Sequence, residues 1–315
     1  MASHHLDWRP EHLFWGYFDA TTPPVLTIDS GDEVTLDCLP ACEEADLPPG
    51  GEGVLDAHVA AMAAHRPTKG AGPHMVTGPV YVNGAVAGDV LQVDILEAKP
   101  MQSWGFTAIL PLLGALPHEF TNYQRMHIAV DEGAGMCRLP IGVDLALDPF
   151  FGIMAVAPPK AWGRIGTPEP RAFGGNMDNK ELKPGTTLYL PVFTEGALFS
   201  AGDGHGRQGD GEVCIAAVET ALRGRFRLTV RKDMAISQPF AEREDMLISM
   251  GFDVSLDEAM RKALRDMIRL VSERGGISRD QAYMLLSLAG DLRITQVVDG
   301  EKGVHMMLHK DCLPG

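Results

Sequence analysis

The amino-acid sequence predicts a mainly β protein, a sandwich or barrel, with a smaller C-terminal α/β part that contains a helical hairpin. Up to about residue 240, short runs rich in Val, Ile, Thr and Leu are separated by Gly, Pro and Asp, the pattern of short strands joined by turns. The 35 glycines and 22 prolines among 315 residues supply punctuation for many such turns. Beyond residue 250 the apolar residues switch to three- and four-residue spacing, the period of a helix. The change separates a β-rich region, 1–240, expected to hold the chemistry, from an α/β region, 241–315, packed on it or continuous with it.

Taken in order, a strand is expected at 24–28, before the turn Asp29-Ser30-Gly31-Asp32. Another is expected at 79–82, before Asn83-Gly84, the strongest short hairpin signal. The strand after that turn, 89–96, sets Val90, Gln92, Asp94 and Leu96 against Leu91, Val93 and Ile95, one wetter face and one buried face. The longest uncharged run, 100–116, approaches membrane-spanning length but is broken by Gly105, Pro111 and Gly114, so it reads as a buried strand and loop. Further strands are expected at 187–193, 213–219 and 226–231.

In the tail, Ser255-Leu256-Asp257-Glu258 is a capping box. Leu256, Ala259, Met260, Ala263, Leu264, Met267, Ile268 and Val271 then recur at helical spacing until Gly275-Gly276. A second box, Ser278-Arg279-Asp280-Gln281, opens a shorter helix through Leu288, and 294–298 returns to strand. The two helices read as a hairpin covering a sheet rather than a DNA reader.

Charge supports that choice. Lys and Arg number 27 against 42 Asp and Glu, a net charge of −15, which repels phosphate backbones and anionic lipid. Up to residue 220 there are 12 basic and 28 acidic residues, and beyond it 15 and 14, so the acidic excess lies where cation ligands are to be sought. Nucleic acid and membrane are not expected partners. Five scattered cysteines without a CxxC pair, and an N-terminus without a basic and then apolar leader, predict a reduced, cytoplasmic setting.

Three stretches look chemical. Residues 202–212, Gly-Asp-Gly-His-Gly-Arg-Gln-Gly-Asp-Gly-Glu, place five glycines, three carboxylates, an imidazole and an amide in eleven positions. Glycine permits close backbone approach, carboxylates offer hard oxygen ligands or bases, and histidine carries protons or binds metal. A self-bonded Ω-loop is the plainer reading. Gly174-Gly175-Asn176-Met177-Asp178-Asn179 repeats the chemistry, with an Asx turn as its plainer reading. Gly72-Pro73-His74 sets a histidine at the mouth of a strand. His118-Glu119 follows a proline in a loop and offers a general base. His58 and His65 stand too far apart for i, i+4 metal pairing. His4, His5, His12, His305 and His309 are expected at the surface or an interface, and Cys214 in the core. The nucleophile signatures Gly-x-Ser-x-Gly and His-Glu-x-x-His are missing.

The residues 174–178, 188–192 (Leu-Tyr-Leu-Pro-Val), 196–205 (Gly-Ala-Leu-Phe-Ser-Ala-Gly-Asp-Gly-His) and 208–212 together resemble the acetamidase/formamidase family. The likeness extends to Gly72-Pro73-His74 with 77–80, to 88–91, to 152–158 and to 291–299, and so covers roughly residues 25–310. It implies hydrolysis of the carbon–nitrogen bond of a small linear amide such as formamide or acetamide. It also implies a β-sandwich-based fold with a smaller α/β part and assembly as a homo-oligomer. The chain departs from the family pattern at Cys38-Leu39-Pro40-Ala41-Cys42 and at 56–69, where loops shape pockets and hence substrate choice.

An amide is a poor electrophile with a poor leaving group, so water must be deprotonated, the carbonyl polarised and the nitrogen protonated. On this basis Asp178, Asp203, His205 and His74 are expected to gather around a divalent metal ion, zinc or calcium, or to hold the water directly. Asp203 and His205 are expected to be catalytic, with Glu119 or Glu212 as proton shuttle. Asn176, Gln208 and Gly202 are expected to steady the substrate and its oxyanion. The alternatives are a larger or cyclic amide as substrate, and a non-catalytic calcium-binding sandwich module, which would release no ammonia.

Overall fold

The computed structural model describes residues 1–65 and 71–314, so the end of the 56–69 stretch lies outside the described residues. Two sheets face each other. A nine-stranded sheet runs in the order Ser3–Leu6, Glu33–Cys38, Leu222–Arg231, Val90–Pro100, Thr187–Pro191, Phe240–Glu242, Met246–Asp253, Lys302–His309 and Asp291–Gln296. It therefore continues across residue 240 into the C-terminal region. Opposite it lies a sheet of Gly174–Asn176, Phe150–Ala155, Phe199–His205, Met75–Val82 and Leu13–Trp15, with Leu26–Ile28 parallel to Met75–Val82.

Period-2 patterning explains the interface. In Leu222–Arg231 the buried Leu222, Gly224, Phe226 and Leu228 alternate with half-buried arginines, of which Arg225 and Arg227 both reach Glu33 at 2.8 Å. Phe226 meets Phe151 and Phe199 of the facing sheet edge-on, with ring centres 5.4 and 5.5 Å apart, a geometry that aligns ring edges with π faces. Leu91, Val93 and Ile95 fill the same core, as the alternation of 89–96 predicts. Cys38 Sγ donates to the Ala201 carbonyl and Thr77 Oγ1 to that of Asp37, tying the layers together.

A smaller sheet of Val143–Ala146, Met136–Leu139, Gln124–Asp131 and Trp104–Ile109 meets the sandwich at Glu219. Glu219 forms a backbone bridge with His205 on one side and with Phe106 on the other.

Both C-terminal helices form where the capping boxes place them. The helix Leu256–Gly275 has Ser255 as its cap and ends at Gly276 in the left-handed conformation. In Arg279–Ala289 the Ser278 and Gln281 side chains cap each other's backbone. Leu247, Met267, Val271, Leu286, Met306 and Leu308 pack the pair onto the sheet. Among the described residues no helix is long and apolar enough to cross a membrane.

The structure corrects several local expectations. The Asn83-Gly84 turn forms, with Gly84 at φ +82°, but the strands on either side belong to different sheets, because Val80 and Val82 must enter the core from one layer and Leu91 and Val93 from the other. Residues 213–218 form no strand, since the left-handed Glu212 and Ile215 break the extended run. After Ile109 the 100–116 run leaves the interior, exposing Leu112, Leu113 and Leu116. His305 is fully buried rather than superficial, with Nδ1 on Thr295 Oγ1 at 2.7 Å. Cys214 is half-buried beside Ala216 rather than in the core.

Candidate active site

The strand Phe199–His205 is the axis of the site. Asp203 and His205, two apart on this strand, both line one cavity. Asp203 Oδ2 lies 3.2 Å from His205 Nε2. On the same nitrogen, 3.4 Å away, sits Glu219 Oε2, whose other oxygen accepts from the Ala217 backbone at 2.8 Å. All three residues are buried.

The other imidazole nitrogen has a different partner. His205 Nδ1 is 2.9 Å from Gln208 Oε1, while Gln208 Nε2 donates to the Asp178 carbonyl at 2.8 Å. The second bond fixes the amide orientation, so Oε1 must accept and Nδ1 carries a proton. Nε2 is thereby aimed at the carboxylates. Asp178 lies on the Nδ1 side, 3.9 Å away.

His74 approaches from the Met75–Val82 strand. Its Nδ1 pairs with Thr167 Oγ1 at 2.9 Å and its Nε2 points to Asp203 Oδ2 at 3.9 Å. Asn176 pairs in register with Ile153, and the Met177 and Asp178 backbone N–H groups both donate to the Gly152 carbonyl. Gly152 is the floor of the site: a Cβ there would collide with Asp178 Oδ1 and Asp203 Oδ2.

Three site carboxylates sit in strained backbone. Asp178, Asp203 and Glu212 adopt φ of +49°, +56° and +45°, a region that costs non-glycine residues energy and that surrounding structure must enforce.

Electrostatics divides the carboxylates. Burial, and after it the neighbouring Asp299 and Asp203, push the Asp178 carboxyl well above the usual range. Burial does the same to Glu212, helped by Asp178, and to Asp299, helped by Glu212. Burial also raises Glu219, against the opposing pull of His205. Asp203 differs: burial works against its charge, but His205 and His74 overcome it and hold the carboxyl down at about 2. On His205, burial is outweighed by Glu219 and Asp203, which raise its pKa well above the ordinary imidazole value. The site thus sets Asp203, held ionised beside His205, against Asp178, Glu212 and Asp299, which burial pushes toward the protonated form.

These groups open into a cavity of about 530 Å³, lined by Asn176, His74, Asp203, His205, Glu212, Glu219 and Asp299 together with apolar side chains. Among the described residues no lysine or arginine lines it. Asp178 Oδ1 and Oδ2, Glu219 Oε2, Asp299 Oδ2 and Asn176 Oδ1 are buried with no donor among the described residues. Buried acceptors of this kind call for protons or a cation. Two sets of side chains bring their ligand atoms within 4.8 Å of one another, Asp203–His205–Glu219 and Asp178–His205–Glu212.

Of the residues singled out from sequence, Asn176, Asp178, Asp203, His205, Gln208 and Glu212 converge, with His74 beside Asp203. Two do not. Glu119 is exposed on the 110–123 loop and outside the cavity lining, because the proline-bounded loop turns it toward solvent. Gly202 is locked mid-sheet, where a Cβ would strike the Met75 carbonyl, so it serves strand packing. Glu219 and Asp299 are the residues that sequence reasoning missed. Glu219 had one signal, a carboxylate inside the apolar run Ala216-Ala217-Val218-Glu219-Thr220-Ala221. Asp299 stands at the end of the strand-forming 291–299 stretch, and Gln296 Oε1 holds its backbone N–H at 3.2 Å.

Comparison with known proteins places this site in a family. The model of the acetamidase/formamidase family matches residues 16–164 and 163–309. An acetamidase of Mycolicibacterium smegmatis is 28% identical over 198 residues, 44% of this chain and 49% of that protein. A formamidase of Methylophilus methylotrophus is 28% identical over 200 residues, 47% and 49%. The chain thus spans about half the length of the curated relatives it matches. Among solved structures, an acetamidase from Yersinia enterocolitica superposes with a TM-score of 0.87 at 29% identity, covering 99% of this chain and 93% of the other. An acetamidase from Bacillus halodurans gives 0.83 at 29% identity, covering 97% of each. By the extent of the family match and the agreement of fold along nearly its whole length, this chain belongs to the acetamidase/formamidase family.

Proposed function

We propose that this protein hydrolyses the carbon–nitrogen bond of a small linear amide, releasing ammonia and a carboxylate. The observation that carries the reading is the meeting at one cavity of Asp203, held ionised beside His205, with Glu212 and Asp299, which burial drives toward the protonated form. Amide hydrolysis needs both a base for water and an acid for the leaving nitrogen. Relatives named acetamidase and formamidase support the same reaction.

In this reading Asp203 and Glu219 hold the attacking water and take up its proton, while Gln208 keeps the imidazole turned so that Nε2 faces it. Asn176, on the cavity wall, hydrogen-bonds the substrate carbonyl as negative charge grows on its oxygen. Glu212 and Asp299, kept protonated by burial, give a proton to the departing nitrogen. His205, and after it His74, hold Asp203 in its ionised form. Neither Glu119 nor Gly202 has a part.

The residues also fit a divalent cation. Buried carboxylate oxygens without donors surround an imidazole nitrogen whose opposite nitrogen is already fixed, and the mixed nitrogen and oxygen donor set of Asp203, His205 and Glu219 suits zinc better than calcium. Such an ion supplies Lewis-acid chemistry and acidifies water.

The test is ammonia release from formamide and acetamide by the purified protein, before and after chelation, with elemental analysis of the same sample. Activity lost on chelation and restored by one cation is the expected result. Activity indifferent to chelation, in protein free of bound metal, would remove the ion and leave the carboxylates as sole bases. No ammonia from any amide would remove the amidase reading in favour of a binding module.

A further inference from the structure

We propose that this site prefers linear primary amides with an aliphatic acyl chain longer than that of acetamide, held along a rail of apolar side chains that leads away from Glu219. The inference rests on the amidase reading, since ammonia as the leaving group puts the whole carbon skeleton on the acyl side.

The rail is a consequence of strand geometry. Phe106 is bonded to Glu219 in both directions, Phe106 N to the Glu219 carbonyl at 3.1 Å and Glu219 N to that of Phe106 at 2.8 Å. From that point the strand Trp104–Ile109 runs outward from the carboxylates. Residues two apart share a face, so Phe106, Ala108 and Leu110 follow one another on the cavity side, and all three line it. At ~3.3 Å per residue, Phe106 to Leu110 spans about 13 Å. Leu113, from the loop that follows, and Ile215, from the segment bonded alongside the strand through Thr107 and Ala216, continue the apolar lining.

Size points the same way. Taking ~30 Å³ for one liquid water, acetamide fills on the order of 100 Å³, a fraction of the 530 Å³ cavity. Charge narrows the class further. Glu43 and Asp46 line the cavity together with the catalytic carboxylates, and among the described residues no lysine or arginine does. Asp46 is already paired with Arg125 at 3.2 Å and with the Tyr123 hydroxyl at 2.8 Å. An acyl chain ending in a carboxylate would meet the like charge of Glu43 and Asp46, whereas a neutral aliphatic chain buries itself against Phe106, Ala108 and Leu110.

The experiment is kcat/KM of the full-length protein for acetamide, propionamide, butyramide and hexanamide, with adipamic acid as the carboxylate-ended chain of hexanamide's length. Expected is a rise of roughly fourfold per added methylene over the first steps, with hexanamide at least about tenfold better than adipamic acid. Ala108→Phe, which blocks the rail, should collapse the hexanamide-to-acetamide ratio. Leu113→Asp, at an exposed position that folding tolerates, should lower the same ratio. A flat or falling series with acetamide still turned over would overturn the rail and leave the amidase reading standing. Equal use of adipamic acid would overturn the charge argument for an aliphatic chain. Failure to release ammonia from any amide would overturn both readings together.

Discussion

Asp203 Oδ2 and His205 Nε2 stand 3.2 Å apart on one strand, and this carboxylate, after that of Glu219, raises the imidazole pKa. Asp203→Asn preserves shape and removes that charge. A fall in kcat of about 10²–10⁴-fold is expected, with an unchanged melting temperature. Steady-state kinetics beside calorimetry checks both, and full activity in a folded variant would take Asp203 out of the chemistry.

Gly152 leaves room for two carboxylates at once. In Gly152→Ala the new methyl group must displace Asp178 or Asp203, so a loss of about 1–3 kcal/mol in stability is expected, together with a larger loss of activity. Denaturant melts and kinetics on the same preparation measure the two. A fully active Gly152→Ala enzyme would show that the carboxylate positions are not needed.

Gln208 fixes the imidazole through two bonds. Gln208→Leu leaves the Nδ1 proton and the Asp178 carbonyl unpaired, at a cost of about 1–3 kcal/mol. Gln208→Glu still accepts from Nδ1 but no longer donates to Asp178. Retention of more activity by Gln208→Glu than by Gln208→Leu is expected, and the reverse order would mean that the Asp178 bond, rather than the imidazole orientation, is what matters.

His58, in the helix Asp56–Ala64, is fully buried. Burial pushes its pKa down to about 4, against a smaller opposing contact with the Cys42 backbone. The unfolded chain takes up this proton below about pH 6.5 and the folded chain only near 4. Stability therefore falls as pH drops from 6.5 to 4, by up to about 3 kcal/mol for this residue. His305, held at about 4 by burial, adds the same dependence. Urea melts of wild type and His58→Leu at pH 7 and pH 4.5 should show a smaller acid-induced loss in the variant. Parallel curves would mean that His58 is protonated in the fold.

Glu119→Ala is the control that separates sequence from structure. The residue is exposed and away from the cavity, so stability should stay within about 0.5 kcal/mol and kcat/KM within about twofold. A large loss of turnover would return Glu119 to the mechanism and require the 110–123 loop to fold inward.

The sequence by itself determined what is local. The period-2 runs mark the strands of the sandwich, and Ser255 and Ser278 mark the starts of two helices, because strand alternation and helix capping act between residues a few positions apart. Asp203, His205, Gln208 and Glu212 were legible as one chemical group for the same reason, being held within a single glycine-rich stretch. Tertiary structure alone decided which distant residues share the cavity. Glu219 reaches His205 through a bridge between sheets, Asp299 arrives from beyond the C-terminal helices, and Glu119 turns away although its neighbour in sequence is a histidine. The Asn83-Gly84 turn shows the same limit, since its backbone forms as expected while the strands it joins part into two layers. Spacing along the chain fixes conformation over a few residues. Burial of apolar faces from strands far apart in sequence fixes which side chains meet, and with them the split between ionised and proton-bearing carboxylates.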